Sequence, residues 1–219
     1  MSVAIGLSLA AMLLSPGVGR APDLDTGANV VGSTVGIDGA TIAWSMGYAR
    51  AIQLPIPRVL VVGTQFTMPM TQPDFGDWRW RTGARIDSLV WGRFAWPFEA
   101  DFVLRRLANR SVKAWGLGSE LITMPGYYPR RWFLAAEVSW DQQWGTHLEH
   151  SDAYRNVVYD EVQDGWYRTT GFTMRYGARV GGRPWKRMEL WLRAGFEQHG
   201  RFDTVAPPVY AIAGLNFRF

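Results

Sequence analysis

Over most of the chain large apolar residues occupy every second position, and the positions between them are small, polar or charged. After Gly39, the apolar Ile42, Trp44, Met46 and Tyr48 alternate with Thr41, Ala43, Ser45, Gly47 and Ala49. From Asp77 to Asp87, Trp78, Trp80, Thr82, Ala84 and Ile86 alternate with Arg79, Arg81, Gly83 and Arg85. Successive side chains of a strand point to opposite faces, so this spacing predicts β-strands with one oily face. A helix would scatter the same arginines around its axis.

The C-terminal half repeats the pattern. Trp132, Leu134, Ala136, Val138 and Trp140 share a face opposite Glu137 and Asp141. Met174, Tyr176, Ala178 and Val180 oppose Arg175 and Arg179, and Met188, Leu190, Leu192 and Phe196 oppose Arg187, Glu189, Arg193 and Glu197. The last strand, Val209 to Phe219, carries Ala211, Ala213, Leu215, Phe217 and Phe219 on its oily face. Weaker strands are predicted at Val30 to Ile37, followed by Asp38-Gly39 as a type I′ turn, at Arg58 to Met68 and at Ser111 to Thr123. Ser88 to Leu107 reads either as a turn plus a strand near Phe94 to Leu104 or as a short helix at Asp101 to Ala108, and the strand is preferred. Gly181-Gly182-Arg183-Pro184 marks a turn reaching Trp185, and Trp144 to Gly165 is the longest predicted loop.

Alternation alone also suits a soluble sandwich or ligand-binding barrel. The composition of the two faces separates these from a membrane barrel. The alternating charges are almost all Arg, set among Gly, Ser, Asp and Glu, and Trp falls near strand ends, as at Trp78 and Trp80, Trp132 and Trp140, and Trp166 with Tyr176. That distribution suits a crowded polar interior and a lipid-facing exterior with interfacial aromatics. The end Gly214-Leu215-Asn216-Phe217-Arg218-Phe219 resembles the β-signal of bacterial outer-membrane β-barrels: a glycine, two residues, an apolar residue, any residue and a terminal aromatic. Ile212 departs from that form, which usually has a polar residue there. The resemblance covers the last strand. It implies delivery to the barrel assembly machinery, with Gly214, Phe217 and Phe219 as the assembly signal, and a setting of outer-membrane lipid and lipopolysaccharide. The expected fold is all-β, a closed antiparallel transmembrane β-barrel of about ten strands. The number is eight if Ser88 to Leu107 holds no strand of its own and the Val30 segment is a tail; both are even, as termini on one side require.

Composition narrows the function. The 219 residues suit one domain, and the absence of Cys excludes a disulfide framework, a thiolate metal site and a Cys nucleophile. A net charge of +4 is too weak to argue a nucleic-acid partner. Val3 to Leu14 is small and apolar and stops at Ser15-Pro16-Gly17, so residues 1–21 read as a signal-peptide-like segment and 22–219 as a single barrel domain, although no Lys or Arg precedes the run. That run is too short to cross a bilayer as a helix.

The three histidines, His147, His150 and His199, fall in predicted outer loops. His147, Glu149, His150, Asp152, Tyr154, Tyr159 and Asp160 form the candidate binding surface. A histidine activates a serine or water when a carboxylate orients it, and Glu149, Asp152 or Asp160 could do so. The spacing does not reproduce the lipid A deacylase pattern, in which histidine and serine stand two apart before an asparagine. His147 and His150 have no further ligand beside them, so no metal or other cofactor is expected. Inside the barrel, Arg79, Arg81, Arg85, Arg175, Arg179, Arg187 and Arg193 are expected to share a narrow lumen with Asp87, Glu137, Asp141, Glu189 and Glu197. They would form either a packed ion-pair network or a basic passage for anions. The sequence thus predicts an outer-membrane barrel with a structural or surface-binding role rather than a catalyst. The alternatives are a narrow anion-preferring pore, a lipid A-modifying hydrolase and a soluble ligand-binding barrel.

Overall fold

The computed structural model describes residues 27–38, 41–55, 59–70, 76–157, 163–168, 171–200 and 208–219. The signal-like segment 1–21, Tyr159 and Asp160 lie outside the described residues. In chain order the strands are β1 (Asn29–Asp38), β2 (Thr41–Gln53), β3 (Val59–Pro69), β4 (Trp78–Trp91), β5 (Phe94–Ala108), β6 (Val112–Thr123), β7 (Gly126–Tyr127), β8 (Trp132–His150), β9 (Gly165–Arg168), β10 (Phe172–Trp185), β11 (Met188–His199) and β12 (Val209–Arg218). A short helix, α1 (Asp152–Val157), follows β8.

Ten strands close an antiparallel ring in the order β1-β2-β3-β4-β5-β6-β8-β10-β11-β12, with β12 paired back onto β1. The short β7 is a continuation of β6. Thr123 pairs with Phe98 and Tyr127 with Phe94, and Thr123 with Val138 and Gly126 with Ala135, so the register runs unbroken through Met124-Pro125. Pro125 has no N–H to give the ladder, which splits the strand in two. The even count brings the start of β1 and the end of β12 to one rim, where Asn29 and Phe219 exchange two backbone hydrogen bonds of 3.0 Å. This is the terminal rim; the opposite one, which carries α1, is the loop rim.

Several predicted boundaries move. Ser88 to Leu107 contains the end of β4, a tight turn at Gly92-Arg93 and most of β5, with no helix. The predicted loop Trp144 to Gly165 is strand as far as His150, and strand resumes at Gly165. His147 and His150 therefore sit on β8, and His199 is the last residue of β11 rather than a loop residue. The breaker Gly181 to Pro184 lies within β10, which pairs with β11 through Gly182 and, after a register shift, at Trp185. The turn comes later, at Lys186-Arg187. Gly181 is a glycine because the Phe133 ring occupies the place a Cβ would take.

Burial is inverted relative to a water-soluble domain. Leu134 is 51% exposed, Leu192 48% and Val180 46%, all on the outer face, whereas the charged residues between them are buried inside the ring. The interior thus holds the polar core, and the apolar surface faces outward.

Candidate functional site

The strand β8 supplies the carboxylates around which the lumen is organised. Glu137 and Asp141, four residues apart, share its inner face. Arg79 on β4 and Arg105 on β5 are register partners, so two guanidinium groups start side by side. Both reach Asp141, at 3.1 Å and 2.5 Å. Arg179 on β10 and Arg193 on β11 are likewise register partners, and Glu137 lies 3.9 Å from the first and 2.7 Å from the second. Like charges directly opposite in a sheet repel, and a carboxylate set between them turns each pair into an attractive triad.

Further pairs tie these triads together. Glu120 on β6 accepts Arg79 and Arg81 at 3.0 Å each, and Arg81 lies 3.4 Å from Asp101. Arg175 pairs with Glu197, and Arg85 lies 3.7 Å from Asp87. Near the terminal rim Glu189 accepts Arg218 at 2.7 Å, Arg183 at 3.2 Å and the Asn216 amide at 3.2 Å. From Arg81 the network crosses to the neutral wall: Arg81 donates to Gln65 at 2.5 Å, Gln65 donates to Ser45 at 2.9 Å, and Ser45 shares a hydrogen bond with Thr34.

Toward the terminal rim buried aromatic and apolar side chains are set among these charges. Tyr128 stacks on Phe133 with ring centres 5.6 Å apart, and its hydroxyl donates to the Met124 carbonyl at 2.7 Å. The Arg179 guanidinium lies 4.0 Å over the inward-facing Trp191 ring. Gly214, opposite Trp191 on β12, leaves the space that this indole fills. On the other wall Val30, Ala49, Ala51 and Val61 form a second buried apolar cluster.

Of the residues predicted for the lumen, Arg79, Arg81, Arg85, Asp87, Glu137, Asp141, Arg175, Arg179, Glu189, Arg193 and Glu197 are all buried inside the ring. Arg187 is not. It is exposed in the turn between β10 and β11, one residue beyond the strand whose alternation had suggested its side. Sequence reasoning missed Glu99, Asp101, Arg105 and Glu120, which are also buried. Their signal was period two along β5 and β6, where Glu99, Asp101, Val103 and Arg105 are spaced two apart.

The candidate surface at the loop rim divides between two faces. His147 meets the Trp166 ring at 5.2 Å and Glu149 at 3.8 Å. His150, three residues on, points to the other face, where it stacks on Tyr154 at 5.3 Å and its Nδ1 lies 2.9 Å from Asp164. The His150 backbone N–H also donates to Asp164 at 2.9 Å, and Arg155 pairs with the same carboxylate. These contacts, led by the backbone N–H of His150, hold the Asp164 carboxyl below the usual carboxylate range. Ser151 caps α1, with its hydroxyl accepting the Tyr154 N–H at 3.2 Å, while Asp152 is exposed in the first turn. The two histidines therefore form no joint site, and among the described residues no three His, Asp or Glu side chains gather as a metal centre.

No family model and no curated protein matches the chain. Among solved structures it is similar to an outer membrane channel from Pseudomonas putida F1, with a TM-score of 0.55 and 9% identity, covering 94% of this chain and 100% of that one. A second similar structure is the beta domain of the Bordetella autotransporter BrkA, with a TM-score of 0.38 and 11% identity, covering 89% of this chain and 100% of that one. The fold, a closed antiparallel ring with an apolar exterior, is that of the outer-membrane β-barrels. The likeness to the Pseudomonas channel is a likeness of fold.

Proposed function

We propose that the protein is an integral outer-membrane barrel, sealed by its own side chains, that acts as a rigid scaffold presenting its loop rim to the outside. The observation that carries this reading is the inversion of burial. Glu120 and Glu189 are 0% exposed and Arg175 1%, while large aliphatic and aromatic residues on the same strands stand open on the outer face. In water such a surface would aggregate; in hydrocarbon it is the favourable arrangement, and a closed ring leaves no edge unpaired. Even the shortest ring strands, β1 and β12, have 10 residues, enough to span a bilayer when tilted. Outward Trp91, Trp96, Trp132 and Trp185 near the terminal rim, and Trp44, Trp80 and Trp140 toward the loop rim, suit interfacial belts.

A side chain lining a water-wide passage would be wetted, and the buried carboxylates and arginines are not. Refolded protein added to a planar bilayer is therefore expected to give no stepwise conductance. Steady anion-selective steps would overturn the sealed scaffold in favour of the narrow pore, the reading that the Pseudomonas neighbour, described as a channel, supports. Failure to enter lipid vesicles at all would overturn the membrane placement and favour the soluble ligand-binding barrel.

A further inference from the structure

The outer wall is apolar except at a few places. On the described strands its charged side chains are Arg50, near the terminal end of β2, and a group at the loop rim: Arg106 on β5, Lys113 on β6, Glu149 on β8 and Arg168 on β9. Three of these four are cations. The group surrounds a continuous row across five strands, in which Trp78 pairs with Arg106, Arg106 with Trp115, Trp115 with His147 and His147 with Trp166. Trp78 meets Trp115 edge-on at 5.6 Å, and the Arg106 guanidinium lies 5.1 Å from the Trp115 ring centre. One row toward the terminal rim the outer face turns aliphatic at Leu104 and Leu117, which are paired neighbours.

The chemistry of this row is that of an amphiphile site. Among the described residues Arg106, Lys113 and Arg168 make no ion pair, and the buried Nε of Arg106 has no hydrogen-bond partner. The nearby Glu149 is turned toward His147. A cation on a lipid-facing wall is costly unless an anion meets it, and a guanidinium held against indole keeps its fork free for two phosphate oxygens. The flat indoles offer stacking surface to a sugar ring. We propose that the row is a docking site for a phosphorylated, acylated sugar, the glycolipid of an outer membrane's outer leaflet. Its phosphates meet Arg106, Lys113 and Arg168, its sugar packs on Trp115 and Trp166, and its acyl chains descend along Leu104 and Leu117.

This inference rests on the membrane placement proposed above, so insertion of the wild-type protein into vesicles is measured first. Its failure there overturns that placement. With insertion established, the detergent-solubilised barrel is titrated with bis-phosphorylated lipid A, followed by tryptophan fluorescence. Replacing Arg106 and Lys113 together with Ala is expected to weaken binding about ten-fold or more, the loss of a charge-assisted contact. If that variant does not fold, Arg106→Gln, which keeps the length of the side chain, should show the loss. Lipid A stripped of its phosphates should bind wild type as weakly, and Arg50→Ala, near the opposite rim, should bind like wild type. Undiminished binding by the Arg106 variants, or by dephosphorylated lipid A, overturns the site. Equal binding of phosphatidylglycerol micelles overturns the sugar component.

Discussion

The two walls of the lumen are built on different plans. Along β1, β2 and β3 the inward residues are neutral and mostly small, among them Thr34, Ala43, Ser45, Ala49, Ala51, Val61, Gln65 and Thr67. From β4 to β11 they are long and charged, led by Arg79, Arg81, Arg85, Arg105, Arg175, Arg179 and Arg193. A ring of about eight strands is just narrow enough for ordinary side chains to fill, and ten strands leave a wider bore. Here one wall supplies the length and the other the room, as the chain from Arg81 through Gln65 and Ser45 to Thr34 shows. Arginine suits this task better than lysine, since its fork can hold two partners at once, as Arg79 holds Glu120 and Asp141.

If the charged wall is held by carboxylates between like-charged neighbours, removing one carboxylate is the most damaging single change. Asp141→Ala leaves Arg79 and Arg105 facing each other, with the second stripped of its partner. The expected loss is about 3 to 5 kcal/mol, seen as a lower urea midpoint for protein folded in vesicles. Glu137→Ala should behave alike for Arg179 and Arg193. Midpoints equal to wild type in both would mean that the triads do not hold this wall.

The next effect concerns the fit of large residues against small ones. A methyl group at Gly214 would enter the space of the Trp191 indole, so Gly214→Ala is expected to cost about 1 to 3 kcal/mol through overpacking. Adding Trp191→Leu should recover part of that loss, because the methyl then has room. Recovery would separate packing at Gly214 from its place in the predicted assembly signal; a double variant no better than the single one would point away from packing. On the neutral wall, Ser45→Ala removes the acceptor for Gln65 and the partner of Thr34, and about 1 to 2 kcal/mol is expected. A loss as large as that of Asp141→Ala would show that the walls carry equal load.

What could be read from the sequence differed between these same regions. In β2 and β4 the alternation is strict, so the side on which Arg79, Arg81 and Arg85 lie follows from period two alone. β5 hides its inward Glu99, Asp101 and Arg105 because the segment includes Pro97 and sets the inward Arg105 next to the outward Arg106. The outer part of β8 looked like loop for a geometric reason: Gly118 pairs with Gln143 and Leu117 with Gly145, leaving Trp144 as an extra residue. That bulge shifts the phase of the alternation, so the two histidines beyond it appear unordered. The glycines of β10 suggested a turn, yet Gly181 is there to admit Phe133 of the neighbouring strand β8, a contact between segments far apart in sequence that no local pattern reveals.

The smallest expected effect lies beyond both walls, where Asp164 ties the segment after α1 back to β8. Its carboxylate accepts the backbone N–H of His150, contacts the His150 ring and pairs with Arg155. These partners favour the ionised form and lower its pKa, so their contribution to order is fully present above the ordinary aspartate value of about 3.9 and is lost as pH falls through the lower folded value. At neutral pH, Asp164→Asn is expected to speed hydrogen exchange at the His150 amide while leaving the urea midpoint of the barrel unchanged. Wild type should show the same local loosening only at acid pH, below the ordinary carboxylate range. Loosening of wild type already at neutral pH would mean that a group other than Asp164 holds this segment. A fall in the urea midpoint of Asp164→Asn would mean that the loop rim is coupled to the charged wall, and the separation between lumen and rim would then be wrong.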